Sequence, residues 1–125
     1  MHRRAILALM PYFLVRRARG PAWDFTVGRR EQVGWDEHAA FMDGLVDDGV
    51  VILGGPVGEG DGEDALLVVA AENEAATRAR LADDPWEETL LTTKSVELWS
   101  IWLRGRKGVW PSGQTPVQPV SDQKV

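Results

Sequence analysis

The fold is decided by residues 35–56, which read WDEHAAFMDGLVDDGVVILGGP. Counted from His38, apolar residues recur at the third, fourth, seventh and eighth positions, as in one stripe of an amphipathic helix: Phe41, Met42, Leu45 and Val46. The acidic residues of the stretch fall away from that stripe. Gly49 suits the left-handed position that ends many helices, so the helix is predicted to stop there. The pattern predicts that His38 projects from the buried side of its helix.

Four strands and a second helix are predicted around this helix. A strand over residues 50–53 follows it and ends in a Gly-Gly-Pro turn, and the other strands are expected over residues 10–15, 65–71 and 95–103. The second helix is expected over residues 72–81, with Asn73 as its N-cap. This order is β-α-β-β-α-β. It predicts an α+β, ferredoxin-like fold in which both helices cover one face of a four-stranded antiparallel sheet.

The other face of that sheet needs a cover. The apolar runs at residues 50–53 and 65–70 do not alternate with polar residues, which indicates that both of their faces are buried. Each large apolar side chain left in water would forfeit about 1.5–3 kcal/mol. A second copy of the sheet is the simplest cover, so we expect a homodimer that forms through the sheet face.

Composition excludes several classes of function. The chain has 125 residues, 44% of them hydrophobic and 26% charged, which is typical of one globular domain. It has no cysteine, so disulfides, thiol catalysis and zinc–thiolate sites are excluded. The net charge of -5 argues against a nucleic-acid partner. No metal-ligand cluster or nucleotide-binding fingerprint is present, so we expect neither a metal nor a cofactor.

The N-terminal region resembles a secretory signal only in part. Basic residues precede an apolar run, but Pro11 interrupts that run, three arginines follow it, and no small-x-small cleavage site is present. The run is also too short to span a bilayer. A first strand after a short extension is favoured, and with it a cytoplasmic protein without a membrane partner. The expected organisation is an extension at residues 1–9, a domain at residues 10–104 and a flexible tail at residues 105–125.

Two loops are candidates for function. Residues 20–34 show no period and hold Trp23, Arg29 and Arg30. A loop of this length is either a functional lid or a surface excursion pinned by its tryptophan. Residues 57–64 are rich in Gly, Asp and Glu but lack the ligand spacing of a calcium loop, so a solvated hairpin connection is favoured.

Two features could carry chemistry: His38 on the apolar face of its helix, and the acidic pair Asp83-Asp84 before Pro85. In this topology, the start of the first helix and the loop after the second helix can lie close together. A carboxylate bound to an imidazole fixes its tautomer and increases its basicity, which is the minimum for a general base. The alternative is a core histidine bound to a backbone carbonyl, with Asp83-Asp84-Pro85 serving only to stop a helix.

The chain resembles the YCII-related (YciI-like) proteins. The similar segments are WDEHAAFMDGL at 35–45, VILGGP at 51–56, ALLVV at 65–69 and DDPW at 83–86, within a region of about residues 10–103. The resemblance implies a dimeric α+β barrel in which two ferredoxin-like sheets pack face to face. It also implies a pocket lined by a His-Asp pair, which corresponds to His38 and Asp84. The longer segment at residues 20–34 and the C-terminal tail depart from the shortest members, which leaves the substrate open.

From the resemblance we expect a cofactor-free lyase or isomerase that acts on a small aromatic or lactone-like molecule. His38 and Asp84 are its expected catalytic residues. The expected substrate-binding residues are backbone amides near the glycine pair, electrostatic groups and apolar walls: Gly54, Gly55, Arg16, Arg29, Trp23, Trp35 and Trp86. Whether the protein is an enzyme at all is open. The alternative is a non-catalytic homodimer that binds a small ligand or has a regulatory role, and a third is a purely structural dimer with His38 sealed inside.

Overall fold

Four strands and two helices make up the described part of the chain. The computed structural model describes residues 10–60, 63–103 and 105. Its elements, in chain order, are β1 (Tyr12–Arg19), α1 (Trp35–Asp47), β2 (Val51–Val57), β3 (Asp64–Ala70), α2 (Glu74–Leu81) and β4 (Leu91–Trp99). A short 3-10 turn at Arg29–Glu31 precedes α1. The predicted order β-α-β-β-α-β is confirmed.

The four strands form one antiparallel sheet in the order β2-β3-β1-β4. The first strand of the chain therefore lies inside the sheet, and β2 and β4 are the edges. Phe13 pairs with Val69 and Val15 pairs with Leu67, so this part of one face of β1 and β3 is apolar. This arrangement is compatible with the ferredoxin-like fold. Because β4 pairs with β1, the turn that leads into β4 lies close to β1.

The core lies between this apolar face and the two helices. Met42 and Leu45 come from α1 and Leu81 comes from α2, and all three are buried in the same cluster as Val15. Both helices therefore pack on one face of the sheet. Val46 was expected in the buried stripe of α1, but 53% of it is exposed. The buried stripe of α1 is therefore narrower than predicted: Val46 lies outside it, and Phe41 lies half-buried at its border.

The ends of the helices agree with the capping signals. Asn73 precedes α2, and its side-chain oxygen accepts a hydrogen bond from the backbone N–H of Ala76 at 2.8 Å. Asp48 caps the C-terminus of α1, and Gly49 after it has φ of 80°. This left-handed conformation is the one for which glycine was expected there.

The strand boundaries differ from the prediction. β1 continues through its arginines to Arg19, because the strand pairs on both sides and long polar side chains at its end reach solvent or a buried partner. β2 includes the Gly-Gly-Pro sequence that was expected to form a turn. It can do so because β2 is an edge strand, where Pro56 is tolerated. β4 begins at Leu91 and ends at Trp99, earlier at both ends than predicted. The predicted extension at residues 1–9 and all of the tail except Gly105 lie outside the described residues.

The sheet face away from the helices carries apolar side chains. Tyr12 and Trp99 pair across β1 and β4, and Leu53 pairs with Val68 across β2 and β3. Leu53 and Trp99 are each exposed by about two-fifths, 41% and 42%. A cavity of about 290 Å³ lies over these residues, and its lining is completed by Ile52, Ile101, Leu103 and Gly105.

Candidate functional site

His38 lies in the first turns of α1 and faces the interior. Its backbone N–H donates to the carbonyl of Gly34 at 3.0 Å. Gly34 is the N-cap residue and has φ of 79°, a conformation that glycine adopts without strain. Only 3% of His38 is exposed, in agreement with the helical stripe that predicted an inward histidine.

Asp84 lies in the tight connection between α2 and β4. Its backbone N–H donates to the carbonyl of Leu81, and its carboxylate accepts from the backbone N–H of Trp86 at 2.9 Å. This side-chain turn fixes the carboxylate relative to its own backbone. Asp84 is buried, so its charge needs partners from elsewhere in the fold.

The two residues form a direct contact although 46 positions separate them. His38 Nδ1 lies 2.9 Å from both carboxylate oxygens of Asp84. Because a carboxylate only accepts hydrogen bonds, Nδ1 carries the proton and donates it. Neutral His38 therefore has its free lone pair on Nε2. Among the described residues no group makes a hydrogen bond to Nε2.

Arg17 supplies the second charged partner of Asp84. Its Nη1 donates to Asp84 Oδ2 at 2.8 Å, and its Nη2 donates to Glu87 Oε1 at 2.5 Å. Both Arg17 and Asp84 have side chains that are almost completely buried, whereas the side chain of Glu87 is 15% exposed. Arg17, His38, Asp84 and Glu87 are called the buried charge cluster below.

The surroundings of Asp84 keep it ionised. Burial is the largest influence and raises its pKa, because it disfavours the charged form. The hydrogen bond and the charge of His38, the amide of Trp86 and the guanidinium of Arg17 act in the opposite direction. Together they outweigh burial and lower the pKa of Asp84 below its ordinary value of 3.8.

This lowered pKa has a consequence for stability in acid. A carboxyl whose folded-state pKa is lowered stabilises the fold above its unfolded pKa, and this contribution disappears as the pH falls through the folded pKa. We therefore expect the difference in free energy of unfolding between wild type and Asp84→Asn to shrink below pH 3.8. Urea unfolding of both proteins at several pH values between about 5 and 2 measures this difference. A constant difference over that range would contradict the lowered pKa.

Two tryptophans surround the imidazole. The ring of Trp86 is stacked on that of His38 with 4.1 Å between centroids and 4° between planes. The ring centroid of Trp35 lies 5.9 Å from that of His38 and 5.9 Å from that of Trp86. Trp86 is held in turn, because its Nε1 donates to the carbonyl of Val33 at 2.9 Å. The imidazole is thus confined by aromatic faces as well as by Asp84.

The segment at residues 20–34 packs behind these tryptophans. Trp23 is buried and meets Trp86 edge to face, with 6.0 Å between ring centroids. Arg29 is also buried, and its guanidinium carbon lies 5.4 Å from the ring centroid of Trp23. Gln32 bonds to the backbone N–H and carbonyl of Asp24 and so ties the loop to itself. These contacts agree with an excursion pinned by its tryptophan.

Three of the expected substrate-binding residues lie elsewhere. Arg16 is on the face of β1 opposite to Arg17, where it pairs with Asp64 at 3.2 Å and its side chain is 45% exposed. Gly54 and Gly55 are on the edge strand β2, and β3 lies between them and β1. Gly54 is required by packing, because a Cβ there would lie 2.5 Å from the side chain of Leu67. The structure therefore does not bring these three residues to the His38–Asp84 pair.

Sequence reasoning missed Arg17 and Glu87. A signal for Arg17 was present, because Phe13, Val15 and Arg17 alternate along one strand and the first two are apolar. Side chains two apart on a strand share a face, so Arg17 had to enter the core and needed a buried partner. No comparable signal marks Glu87, whose position depends on the turn that begins at Asp84.

No metal site or membrane helix was found in the part of the chain that the structure describes. None of its His, Asp and Glu residues form a group of three or more that could hold a metal ion. None of its helices is long and apolar enough to cross a membrane. Comparison with known proteins gave no match, whether to protein-family models, to curated proteins or to solved structures. The resemblance to YCII-related proteins therefore stays a prediction.

Proposed function

We propose that the protein is a cofactor-free lyase or isomerase in which His38 is the general base and Asp84 orients it. One observation carries the proposal: His38 Nδ1 is bound to Asp84 at 2.9 Å, while Nε2 has no hydrogen-bonding partner among the described residues. A buried imidazole that serves only packing usually has both ring nitrogens satisfied. Here the nitrogen that carries the lone pair is left for a substrate.

The reaction follows from this arrangement. Nε2 takes a proton from a carbon next to a carbonyl or from a phenolic O–H. The electron pair that is released moves into the carbonyl or ring system, and it then either expels a leaving group or recovers a proton at another carbon. Asp84 faces the imidazolium that forms, and the face of the Trp86 indole lies against it. General-base catalysis of this kind contributes about 10²–10⁴-fold in rate.

The surroundings of His38 support a small, flat substrate. Trp86 covers one face of the imidazole, and the half-buried ring of Trp35 lies beside both, where an aromatic surface favours stacking with a planar ring. Since Trp86 is stacked on one face of the imidazole and only 3% of His38 is exposed, the substrate is expected to approach Nε2 at the edge of the ring. An aromatic or lactone-like molecule of few atoms fits these conditions.

A non-catalytic, ligand-binding homodimer is the second candidate function. It is favoured by the cavity of about 290 Å³ on the sheet face away from the helices, which is lined mainly by apolar side chains such as Tyr12, Leu53 and Trp99. A second copy packed on this face would cover them and enclose the cavity between two sheets, as the resemblance to YCII-related proteins implies. In this case the site is the cavity, and His38 has only a structural role.

A proton-exchange assay separates the two functions. Small carbonyl compounds, lactones and phenols are incubated with the protein in D₂O, and deuterium incorporation is followed by NMR. We expect the wild type to exchange at least one of them, because exchange requires only proton abstraction and not a complete reaction. In His38→Gln the exchange should fall by about 10²–10⁴-fold.

The control is Arg16→Met, which changes an exposed ion pair on the opposite face of β1. It should exchange at the wild-type rate. Exchange that persists in His38→Gln would contradict the proposed base. Binding without exchange, in a protein that sediments as a dimer, would favour the second function.

A further inference from the structure

The net charge of the buried charge cluster depends on a residue that does not touch His38. Arg17 carries one positive charge, and Asp84 and Glu87 carry two negative charges between them. With His38 neutral, the four side chains sum to one negative charge. With His38 protonated, they sum to zero. Isolated charge is costly in a buried environment, so this sum of charges compensates the imidazolium that forms when His38 accepts a proton.

Glu87 is the residue that creates this balance. Arg17 uses Nη1 for Asp84 and Nη2 for Glu87, so one guanidinium is divided between two carboxylates. Without Glu87, Arg17 and Asp84 would form a neutral pair, and a proton added to His38 would leave an uncompensated positive charge. Glu87 is also fixed independently, because its carboxylate accepts from the hydroxyl of Thr93 on β4 at 3.3 Å.

We propose that Glu87 is a positioning residue for the His38 base: it shares Arg17 with Asp84 and so leaves the negative charge of Asp84 available to the imidazolium. This inference rests on the proposed function, since it explains how a buried base accepts a proton. Three other arginines lie against the aromatic rings near the site. The Cζ of Arg30 is 5.7 Å from the ring centroid of Trp35, and those of Arg19 and Arg29 are 5.1 and 5.4 Å from the ring centroid of Trp23.

The test compares Glu87→Gln with Glu88→Gln in the full chain. Both variants remove one negative charge from neighbouring positions, but Glu88 is exposed and Gln at position 87 can still accept from Arg17. NMR of the His38 imidazole gives the ratio of protonated to neutral ring. Compared at one pH, this ratio should fall about tenfold in Glu87→Gln, as expected for the loss of one nearby buried charge. In Glu88→Gln it should change by less than about twofold.

A variant that removes a positive charge from the cluster, and not a negative one, excludes a merely structural role. Arg17→Gln removes the positive charge and should raise the ratio, whereas general loosening of the site would move it in the same direction in both variants. If Arg17→Gln does not fold, the comparison of Glu87→Gln with Glu88→Gln is sufficient. An unchanged ratio in Glu87→Gln, or an equal fall in Glu88→Gln, would overturn the proposal. The NMR ratio needs no substrate, so it is independent of the exchange assay. An unchanged ratio would overturn the role of Glu87 even if exchange is observed, and absent exchange would contradict the proposed function even if the ratio falls.

Discussion

Arg17→Met is expected to lower the free energy of unfolding by about 3–5 kcal/mol, the usual cost of removing one partner from a buried ion pair. The substitution keeps most of the volume of the side chain but leaves Asp84 without its 2.8 Å contact to Nη1. Asp84 is buried, so water cannot replace that partner. The loss is therefore larger than the hydrogen bond alone would suggest, because an uncompensated charge remains.

The matched control for this change is Arg16→Met, one residue away on the same strand. Arg16 pairs with Asp64 at 3.2 Å, but both side chains are at least one-third exposed. Exposed pairs of this kind contribute about 0–1 kcal/mol. Urea unfolding of the two variants measures the contrast directly. Equal losses would mean that Arg17 is not the buried counter-charge that the structure indicates.

Trp86→Ala is expected to destabilise the protein by about 3–5 kcal/mol, the range for truncating a buried aromatic side chain. Trp86 is 1% exposed, and its loss removes the stack on His38, the edge contact with Trp23 and the hydrogen bond to Val33. The imidazole would then lose its stacking partner, and the segment at residues 20–34 would lose its contacts with the indole of Trp86.

Trp102→Ala is the control, because Trp102 is 88% exposed. Its substitution should change the free energy of unfolding by no more than about 0.5 kcal/mol. Trp86→Phe separates packing from hydrogen bonding, since it retains an aromatic ring but loses the donor to Val33. A small effect in Trp86→Ala would show that the tryptophans around His38 contribute little to holding the site together.

The fold was predictable from local patterns because they agree with one another. The spacing of apolar residues after His38 indicated α1, and the side chain of Asn73 indicated the start of α2. The element order then left few possible topologies. Strand ends were less predictable, because they depend on pairing partners and not on local composition. Pro56 illustrates this: it marks a turn in isolation, but it lies within β2 because that strand is at the edge of the sheet.

The histidine of the candidate site was predictable because the chain offers few residues of that type. The chain has two histidines, and the helical period placed His38 inward, so a carboxylate partner after α2 could be inferred from the topology. The expected electrostatic groups were Arg16 and Arg29, and Arg17 was not among them. Arg16 and Arg17 have the same chemistry, but successive strand residues point to opposite faces, so only Arg17 reaches Asp84. Side-chain alternation from Val15 was the information that decided between them.

The tautomer of His38 decides whether Asp84 orients it as a base, and long-range ¹H–¹⁵N NMR spectra of the neutral imidazole report this tautomer. We expect a proton on Nδ1 and a free lone pair on Nε2 in the wild type, and a mixture of the two tautomers in Asp84→Asn. Arg16→Met should leave the wild-type spectrum unchanged. A proton on Nε2 in the wild type, or a tautomer that does not respond to Asp84→Asn, would contradict the assignment of His38 as a base oriented by Asp84.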